Sequence, residues 1–144
     1  MNLFRGLADE TRLRMVCLLR RSALCVSHFQ TILDATQVSI SKQLRYLRRL
    51  GLVEKAIYRN FRVYRLRSDL SRETNTMLAA LDQAAAGLDL FKADLARLDS
   101  MAGEVSAIVS KSMGSGRQPE SHPESVIAEP RPLPGLSAGV EYVD

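Results

Sequence analysis

The stretch TQVSISKQLRYLRRLG, residues 36–51, has the pattern of an amphipathic helix. Thr36 is a suitable N-cap, and Gly51 is a suitable residue just past the last turn. Apolar residues recur mostly at spacings of three or four, so we expect them to pack inward: Val38, Ile40, Leu44, Leu47 and Leu50. The outward set contains hydrogen-bond donors and cations but no carboxylate: Gln37, Ser39, Lys42, Gln43, Arg45, Arg48 and Arg49.

A shorter helix is predicted immediately before this one, over residues 25–33, with Asp34 and Ala35 as a tight connection. Two helices joined in this way form a helix-turn-helix, whose second helix enters the major groove of DNA. Polar side chains near the start of that helix would face base edges, and its arginines would reach phosphates. Residues 9–21, capped by Asp9, predict a scaffold helix for the pair.

After Gly51 the pattern changes from helix to strand. Residues 52–57 and 61–66 are rich in Val, Ile, Phe and Tyr, and a polar tip of Tyr58, Arg59 and Asn60 separates them. A hairpin that follows a recognition helix is a wing, which can lie along the DNA backbone. Its cationic side chains are expected to point outward: Lys55, Arg59, Arg62 and Arg65.

The positive charge of the chain is concentrated in its first half. Residues 1–66 carry thirteen Lys and Arg against four Asp and Glu, a balance of +9, whereas residues 67–144 carry seven against twelve, a balance of −5. Because neutralised phosphates release counterions, this asymmetry is the electrostatic footprint expected of a phosphate-binding surface. A solvated basic face without a partner has the same footprint, so charge alone does not decide the function.

Residues 71–112 predict one long helix with an apolar repeat of seven. A repeat sustained over about four heptads favours packing along a partner helix, so we predict a homodimer joined through this segment. The predicted dimer contacts are Leu81, Leu88, Phe91, Leu95 and Leu98. The alternative is an amphipathic helix folded back on its own domain, and it competes most strongly over residues 77–88.

The expected fold class is mainly α with a small β-hairpin. Three segments follow from the patterns: a winged helix-turn-helix domain (1–70), a long dimerisation helix (71–112) and a tail (113–144). The tail is expected to be disordered, because it holds all five prolines and has no periodicity. A short docking motif near residues 140–143 stays open.

The sequence predicts a cytoplasmic protein without a membrane partner. Its two cysteines, Cys17 and Cys25, are too few for a disulfide framework. No stretch has the pattern of a signal peptide or the length of a membrane span.

In this order, the predicted elements resemble the ArsR/SmtB family of winged-helix transcriptional repressors. Four stretches carry the resemblance: LADETRLRMVCLLR (7–20), LCVSHF (24–29), VSISKQLRYLRRLGLVE (38–54) and FRVYRL (61–66). The resemblance implies a homodimer that binds double-stranded DNA at an inverted-repeat operator and releases it when an inducer binds.

Matching positions extend the set of expected DNA contacts. In the helix they are Gln37, Ser39, Ser41, Lys42, Gln43 and Arg45, and in the wing they are Arg59, Asn60 and Arg62. Family members often carry His at the Gln43 position and Gly at the Arg59 position. The resemblance therefore implies DNA binding without fixing the base preference.

The inducer site is where this sequence departs from the resemblance. Arsenic- and cadmium-responsive relatives carry Cys-x-Cys in the third helix, whereas here Cys25 is followed by Val26 and Ser27. Cys25 and Cys17 are the candidate thiol sensor for arsenite or another thiophilic ion, and a helix N-terminus among cations is expected to lower the pKa of Cys25. One thiolate does not make a soft-metal site, so the simpler interpretation is two small buried hydrophobic residues.

Zinc is not expected between paired long helices, because the chain has only two histidines, His28 and His122, and neither lies in residues 71–111. We expect His28 to be an exposed polar residue. No other cofactor is predicted, and the inducer is not identified by the sequence.

Three classes of function compete. The first is a homodimeric DNA-binding repressor, and the second is a winged-helix protein interaction module or a regulator without a metal or ligand sensor. The third is an enzyme that uses Cys25 and His28 as a dyad, but no oxyanion donor, orienting residue or substrate pocket can be named for it. The sequence therefore predicts a regulator and not an enzyme.

Overall fold

The computed structural model describes residues 2–58, 61–113 and 141–142 of the chain. In chain order the elements are α1 (Leu3–Leu7), α2 (Glu10–Leu19), α3 (Val26–Leu33), α4 (Gln37–Arg49), β1 (Val53–Tyr58), β2 (Phe61–Leu66), α5 (Arg72–Ala85), α6 (Asp89–Ser100), α7 (Ala102–Met113) and β3 (Glu141–Tyr142). Among the described helices, none combines enough length with enough apolar character to span a bilayer.

Local caps explain where the helix-turn-helix begins and ends. Thr36 Oγ1 accepts a hydrogen bond from the Ser39 N–H at 3.2 Å and starts α4. Asp34 follows α3 with φ of 50°, and Gly51 follows α4 with φ of 77°. Both residues occupy the left-handed region, which Gly, Asn and Asp tolerate better than other residues. The predicted helix pair, its turn and its end signals are confirmed.

The hairpin after α4 is a wing that is tied to the start of α3. β1 and β2 pair antiparallel from Val53 opposite Leu66 to Tyr58 opposite Phe61, which leaves two residues between the strands. Leu24 and Tyr64 exchange two backbone hydrogen bonds at 2.9 and 2.8 Å. The wing was predicted, whereas the bridge from Leu24 had no signal in the sequence.

One hydrophobic core joins the helix-turn-helix to the wing and to the C-terminal helices. Its largest fully buried apolar side chains are Phe29, Met15, Leu18, Leu24, Ile32, Ile40, Leu44, Leu47, Leu52 and Leu78. Leu98 of α6 and Val105 of α7 belong to the same cluster. Residues from the predicted dimerisation helix therefore complete the core of the winged domain.

Three helices replace the single long helix expected over residues 71–112, so that expectation is wrong. α5 ends at Ala85, and Leu88 has an extended backbone (φ −85°, ψ 136°) before α6 begins. Gly87 lies in this break, and a glycine weakens a helix by roughly 1 kcal/mol relative to alanine. A second break at Met101 separates α6 from α7.

Ion pairs and apolar contacts hold the folded-back helices in place. α6 contacts α2 and α3, and α7 contacts both strands of the hairpin. Arg14 of α2 and Asp94 of α6 form a bidentate pair with N–O distances of 2.8 and 2.7 Å. Arg20 and Arg21 both bond to Asp82 of α5. The folded-back alternative therefore describes α6 and α7 as well as α5.

Folding back redistributes the residues predicted as dimer contacts. Phe91 and Leu98 are each 6% exposed and lie in hydrophobic clusters of their own chain. Leu81 and Leu95 are half-buried against the same core. Leu88, at the break, is 56% exposed. The continuous apolar seam expected along one helix is therefore broken up.

A short strand from the predicted tail extends the sheet. β3 pairs antiparallel with β1, with Tyr142 opposite Ala56 and Glu141 opposite Ile57. The expectation of disorder is wrong for these two residues, because the outer edge of β1 offers backbone groups with which they pair. The predicted tail otherwise lies outside the described residues, except for Met113 at the end of α7.

Candidate nucleic-acid interface

One side of α4 is open to solvent and carries the residues singled out from the sequence. Four of them are exposed: Gln37, Lys42, Arg45 and Arg49. The other four are half-buried: Ser39, Ser41, Gln43 and Arg48. Ile40, Leu44 and Leu47 are 0–1% exposed, as predicted. Val38 was expected inside but is 80% exposed, because two positions along a helix turn it about 200° away from Ile40.

Arg12 of α2 fixes the position of Gln43. The Arg12 guanidinium donates to Gln43 Oε1 at 3.0 Å, donates to the Gly6 carbonyl, and lies over the Tyr46 ring at 4.1 Å from its centroid. Because guanidinium groups only donate, the amide oxygen of Gln43 must face Arg12, and its NH₂ group remains as the donor end. Gln43 is therefore held to present donors, which suit acceptors such as phosphate oxygens or purine N7 atoms.

Positive charges on α4 and on the wing act on the side chain of Tyr64. Burial raises the pKa of the Tyr64 hydroxyl, and the positive charges of Arg48, Arg62 and Arg45 act in the opposite direction. The ammonium group of Lys55 lies 5.9 Å from the centroid of the Tyr64 ring. The helix and the wing each expose a cation, Arg45 and Arg62, whose charge acts on the buried Tyr64 (6% exposed).

The wing contributes fewer outward cations than the sequence indicated. Arg65 donates to the Glu54 carboxylate at 2.6 Å, and the Glu54 side chain is only 2% exposed. Arg65 therefore forms an ion pair within the domain. The expectation that Arg65 points freely outward is wrong, because its strand position faces the buried Glu54 across the hairpin. Arg62 is exposed as predicted. Arg59 and Asn60 lie outside the described residues.

An open cleft of about 450 Å³ separates the start of α3 from the wing. Gln37 from α4 and Arg62 from β2 both line it, so two predicted contact residues on different elements face the same space. The other lining residues are Cys25, Val26, Ser27, Ile57, Phe61 and Ile108.

Comparisons with known proteins agree with this geometry. A sequence model described as "Bacterial regulatory protein, arsR family" matches residues 9–55, which run from the cap of α2 into β1. The chain is 50% identical over 52 residues to the arsenical resistance operon repressor of Escherichia coli, covering 35% of this chain and 44% of that protein. It is 33% identical over 82 residues to the arsenic resistance transcriptional regulator ArsR1 of Pseudomonas putida, covering 56% of this chain and 64% of that protein.

A solved structure extends the likeness from sequence to fold. Reduced HlyU from Vibrio cholerae superposes with a TM-score of 0.51 at 30% identity, covering 57% of this chain and 83% of that chain. The chain belongs to the ArsR family. It spans less than two thirds of the length of the two curated ArsR-family relatives, 44% and 64% respectively.

The cysteines of this ArsR-family chain lie in two different environments. Cys17 packs with Ala85 and Phe91, and burial together with the Asp82 carboxylate raises its pKa to about 12. Cys25 precedes α3, where burial raises the pKa of its thiol. The expectation of a lowered pKa at Cys25 is wrong, because burial of the side chain disfavours the charged thiolate.

His28 is also buried, at 1% exposure, and the expectation of an exposed side chain is wrong. Its Nδ1 accepts a hydrogen bond from the Cys25 N–H at 3.0 Å, so His28 caps its own helix from the inside. Nε2 has no hydrogen-bond partner among the described residues. Burial lowers the pKa of His28, and the Glu104 carboxylate of α7 acts in the opposite direction.

The residues present do not fit a trigonal thiolate site for arsenic within one subunit. Such a site needs three thiolates, whereas the chain has two cysteines, and Ser27 stands where a second thiolate of the third helix would be. In the parts of the chain that the structure describes, no three His, Cys, Asp or Glu side chains converge as metal ligands.

Arg12 and Tyr64 are the residues of this surface that sequence analysis missed. Arg12 lies in the scaffold helix, and its contact with Gln43 joins residues 31 positions apart. Tyr64 is buried although it lies two residues after the exposed Arg62 on β2, and the sequence marked it only as one of the β-rich residues of the strand. Neither role had a local signal.

Proposed function

We propose that this ArsR-family chain is a homodimeric DNA-binding transcriptional repressor. In this proposal α4 lies in the major groove, and the wing lies along the adjacent backbone. The observation that carries the proposal is that Lys42, Arg45 and Arg49 are exposed along α4, while Gln37 of α4 and the exposed Arg62 of β2 line one cleft. Cations exposed on both a recognition helix and a wing fit the phosphates that flank a groove.

The chemistry of α4 supports the assignment of roles. Gln37 is exposed at the first position of α4, where base edges are read, and Gln43 lies half-buried near the middle of the helix with its amide oxygen bound to Arg12. Lys42, Arg45 and Arg49 follow along the exposed side and are assigned to phosphates. The printed names of the relatives, a repressor and a transcriptional regulator, agree with this function.

Homodimerisation is part of the proposal, with the surface revised from the continuous seam. Outside α4, the described large apolar side chains that stay exposed are Phe4 on α1 (72%), Leu88 at the break after α5 (56%) and Leu90 on α6 (38%). An open apolar depression on α5 includes Met77 and Ala80. We assign these sites to the second copy, whose two-fold symmetry would present two α4 helices to an inverted repeat.

The test of DNA binding uses a matched pair of lysines. DNA fragments selected by the purified protein from random sequence supply the probe, and fluorescence anisotropy measures affinity across a salt series. Lys42 on α4 and Lys92 on α6 are both exposed. Because each lost phosphate contact changes the salt slope by about 0.9, Lys42→Gln should weaken binding and flatten the slope by about 2 in a dimer.

Lys92→Gln should leave both quantities unchanged. Selection of no sequence, or a slope near zero in the unaltered protein, would overturn the proposal. Equal effects of the two substitutions would remove α4 from the interface.

The test of dimerisation is sedimentation velocity over a dilution series. Leu88→Ser should shift the protein towards the monomer, because it removes an exposed apolar contact. Ala96→Ser, at an exposed position of α6, is the control. A monomer at all concentrations in the unaltered protein would contradict the homodimer.

A further inference from the structure

Val38 is the most exposed large apolar side chain in the described part of the protein, at 80%. It is the second residue of α4. At spacings of four, seven and eleven, Lys42, Arg45 and Arg49 follow it on the same stripe of the helix, and all three are exposed. An isopropyl group therefore heads the cationic stripe to which the proposed function assigns the DNA.

An apolar side chain in this position can read only one feature of a base pair. Valine has no donor or acceptor, so it cannot distinguish bases by hydrogen bonding. In the major groove, the C5-methyl group of thymine is the apolar feature that differs between base pairs. Val38 contributes little to the packing of the domain, because most of its surface faces solvent.

We propose that Val38 is a specificity-determining residue that packs on a thymine methyl group in each half-site. This inference rests on the proposed function and adds a base to it. The neighbouring Gln37 is also exposed and reads a hydrogen-bonding edge beside the methyl group. Together they favour a thymine near the place where the start of α4 enters the groove.

The expected size of the effect follows from the loss of one buried methyl group. Removing it should weaken binding about fourfold per half-site and about 16-fold when both half-sites are changed. A contact with a phosphate does not depend on a base methyl group, so the effect distinguishes base recognition from phosphate binding.

The experiment is a double-mutant cycle between protein and DNA. Each thymine of the selected duplex is replaced in turn by deoxyuridine, which deletes only the methyl group, in both half-sites symmetrically. The unaltered protein, Val38→Ser and Lys42→Gln are titrated against each duplex. Urea unfolding midpoints of the variants should match the unaltered protein, because both side chains are exposed.

Replacing one particular thymine by deoxyuridine in both half-sites should weaken binding of the unaltered protein about 16-fold. The same replacement should leave the affinity of Val38→Ser unchanged. Lys42→Gln should bind more weakly but keep the full dependence on that methyl group. Val38→Thr, which keeps one of the two methyl groups, should show an intermediate dependence.

Tight sequence-specific binding without any methyl dependence, or with a dependence that persists in Val38→Ser, would overturn this inference and leave the repressor proposal standing. A selected half-site that contains no thymine would do the same. Absence of DNA binding would overturn both.

Discussion

Substitution of Asp94 distinguishes the folded-back helices from a continuous rod. Asp94 is 2% exposed, and the Arg14 side chain that it pairs with is 12% exposed. Both guanidinium–carboxylate bonds are short, at 2.8 and 2.7 Å. Asp94→Ala would leave the Arg14 charge with only the exposed Glu10 carboxylate at 3.9 Å, and removing one partner of a buried pair typically costs about 3–5 kcal/mol. In a long free helix the same position would face solvent, and the change would stay within about 0.5 kcal/mol.

The assay is equilibrium unfolding in urea, followed by far-UV circular dichroism at one fixed protein concentration. Asp99→Ala is the matched control, because Asp99 lies on the same helix and is exposed. If Asp94→Ala is too unstable to purify, Asp94→Asn keeps the shape and one acceptor and should lose less stability. The pair Arg14→Met with Asp94→Leu, which removes both charges, should recover most of the loss.

A free energy of unfolding for Asp94→Ala within error of that for Asp99→Ala would refute the reasoning. That result would mean that Arg14 does not need Asp94, and hence that α6 is not docked on α2. A double replacement as unstable as the single one would show that the charge left behind is not the cause.

Three further predictions concern burial. Burial lowers the pKa of His28, so below the ordinary histidine pKa of about 6.5 the unfolded chain binds more protons than the folded chain. The free energy of unfolding should therefore fall on acidification in that range, by at most about 1.4 kcal/mol per pH unit. Asn at position 28 keeps an acceptor without titrating, so urea unfolding of His28→Asn should show a smaller loss. Native Cys17 and Cys25 should react with iodoacetamide at least about tenfold more slowly than in urea, as measured by intact mass, and equal rates would contradict their raised pKa values. Gly6→Ala places a Cβ against the Leu50 side chain and should cost about 1–2 kcal/mol, a loss that should vanish in a Leu50→Ala background if the collision is its cause.

Local signals predicted the elements of the winged domain, because caps and periodicity act within a few residues. Thr36 caps the start of α4 and Gly51 follows its end, as expected, and the β-rich runs after the helix form the hairpin. The heptad pattern was read correctly as a helical apolar surface, but periodicity does not say which surface covers it. Phe91 and Leu98 satisfy the pattern by packing on their own chain.

The other features that sequence analysis did not predict have the same physical origin. His28 and Cys25 are polar or reactive by residue type, yet the fold buries both beside the wing. The ion pairs that hold α5 and α6 join residues more than 60 positions apart, and a sequence pattern does not contain such partners. The candidate interface was predictable to the extent that it lies on one helix face, and Arg12 and Tyr64 were missed because they act from other elements.

The break at Gly87 separates the folding of the subunit from its assembly. Since α6 and α7 supply the last apolar side chains to the core, a newly made chain closes that core without waiting for a second copy. The main cooperative transition is then expected to be unimolecular, and dilution would act only on the association step of the proposed dimer. If the proposed dimer forms, dilution at low cellular abundance would separate its subunits before it unfolded them.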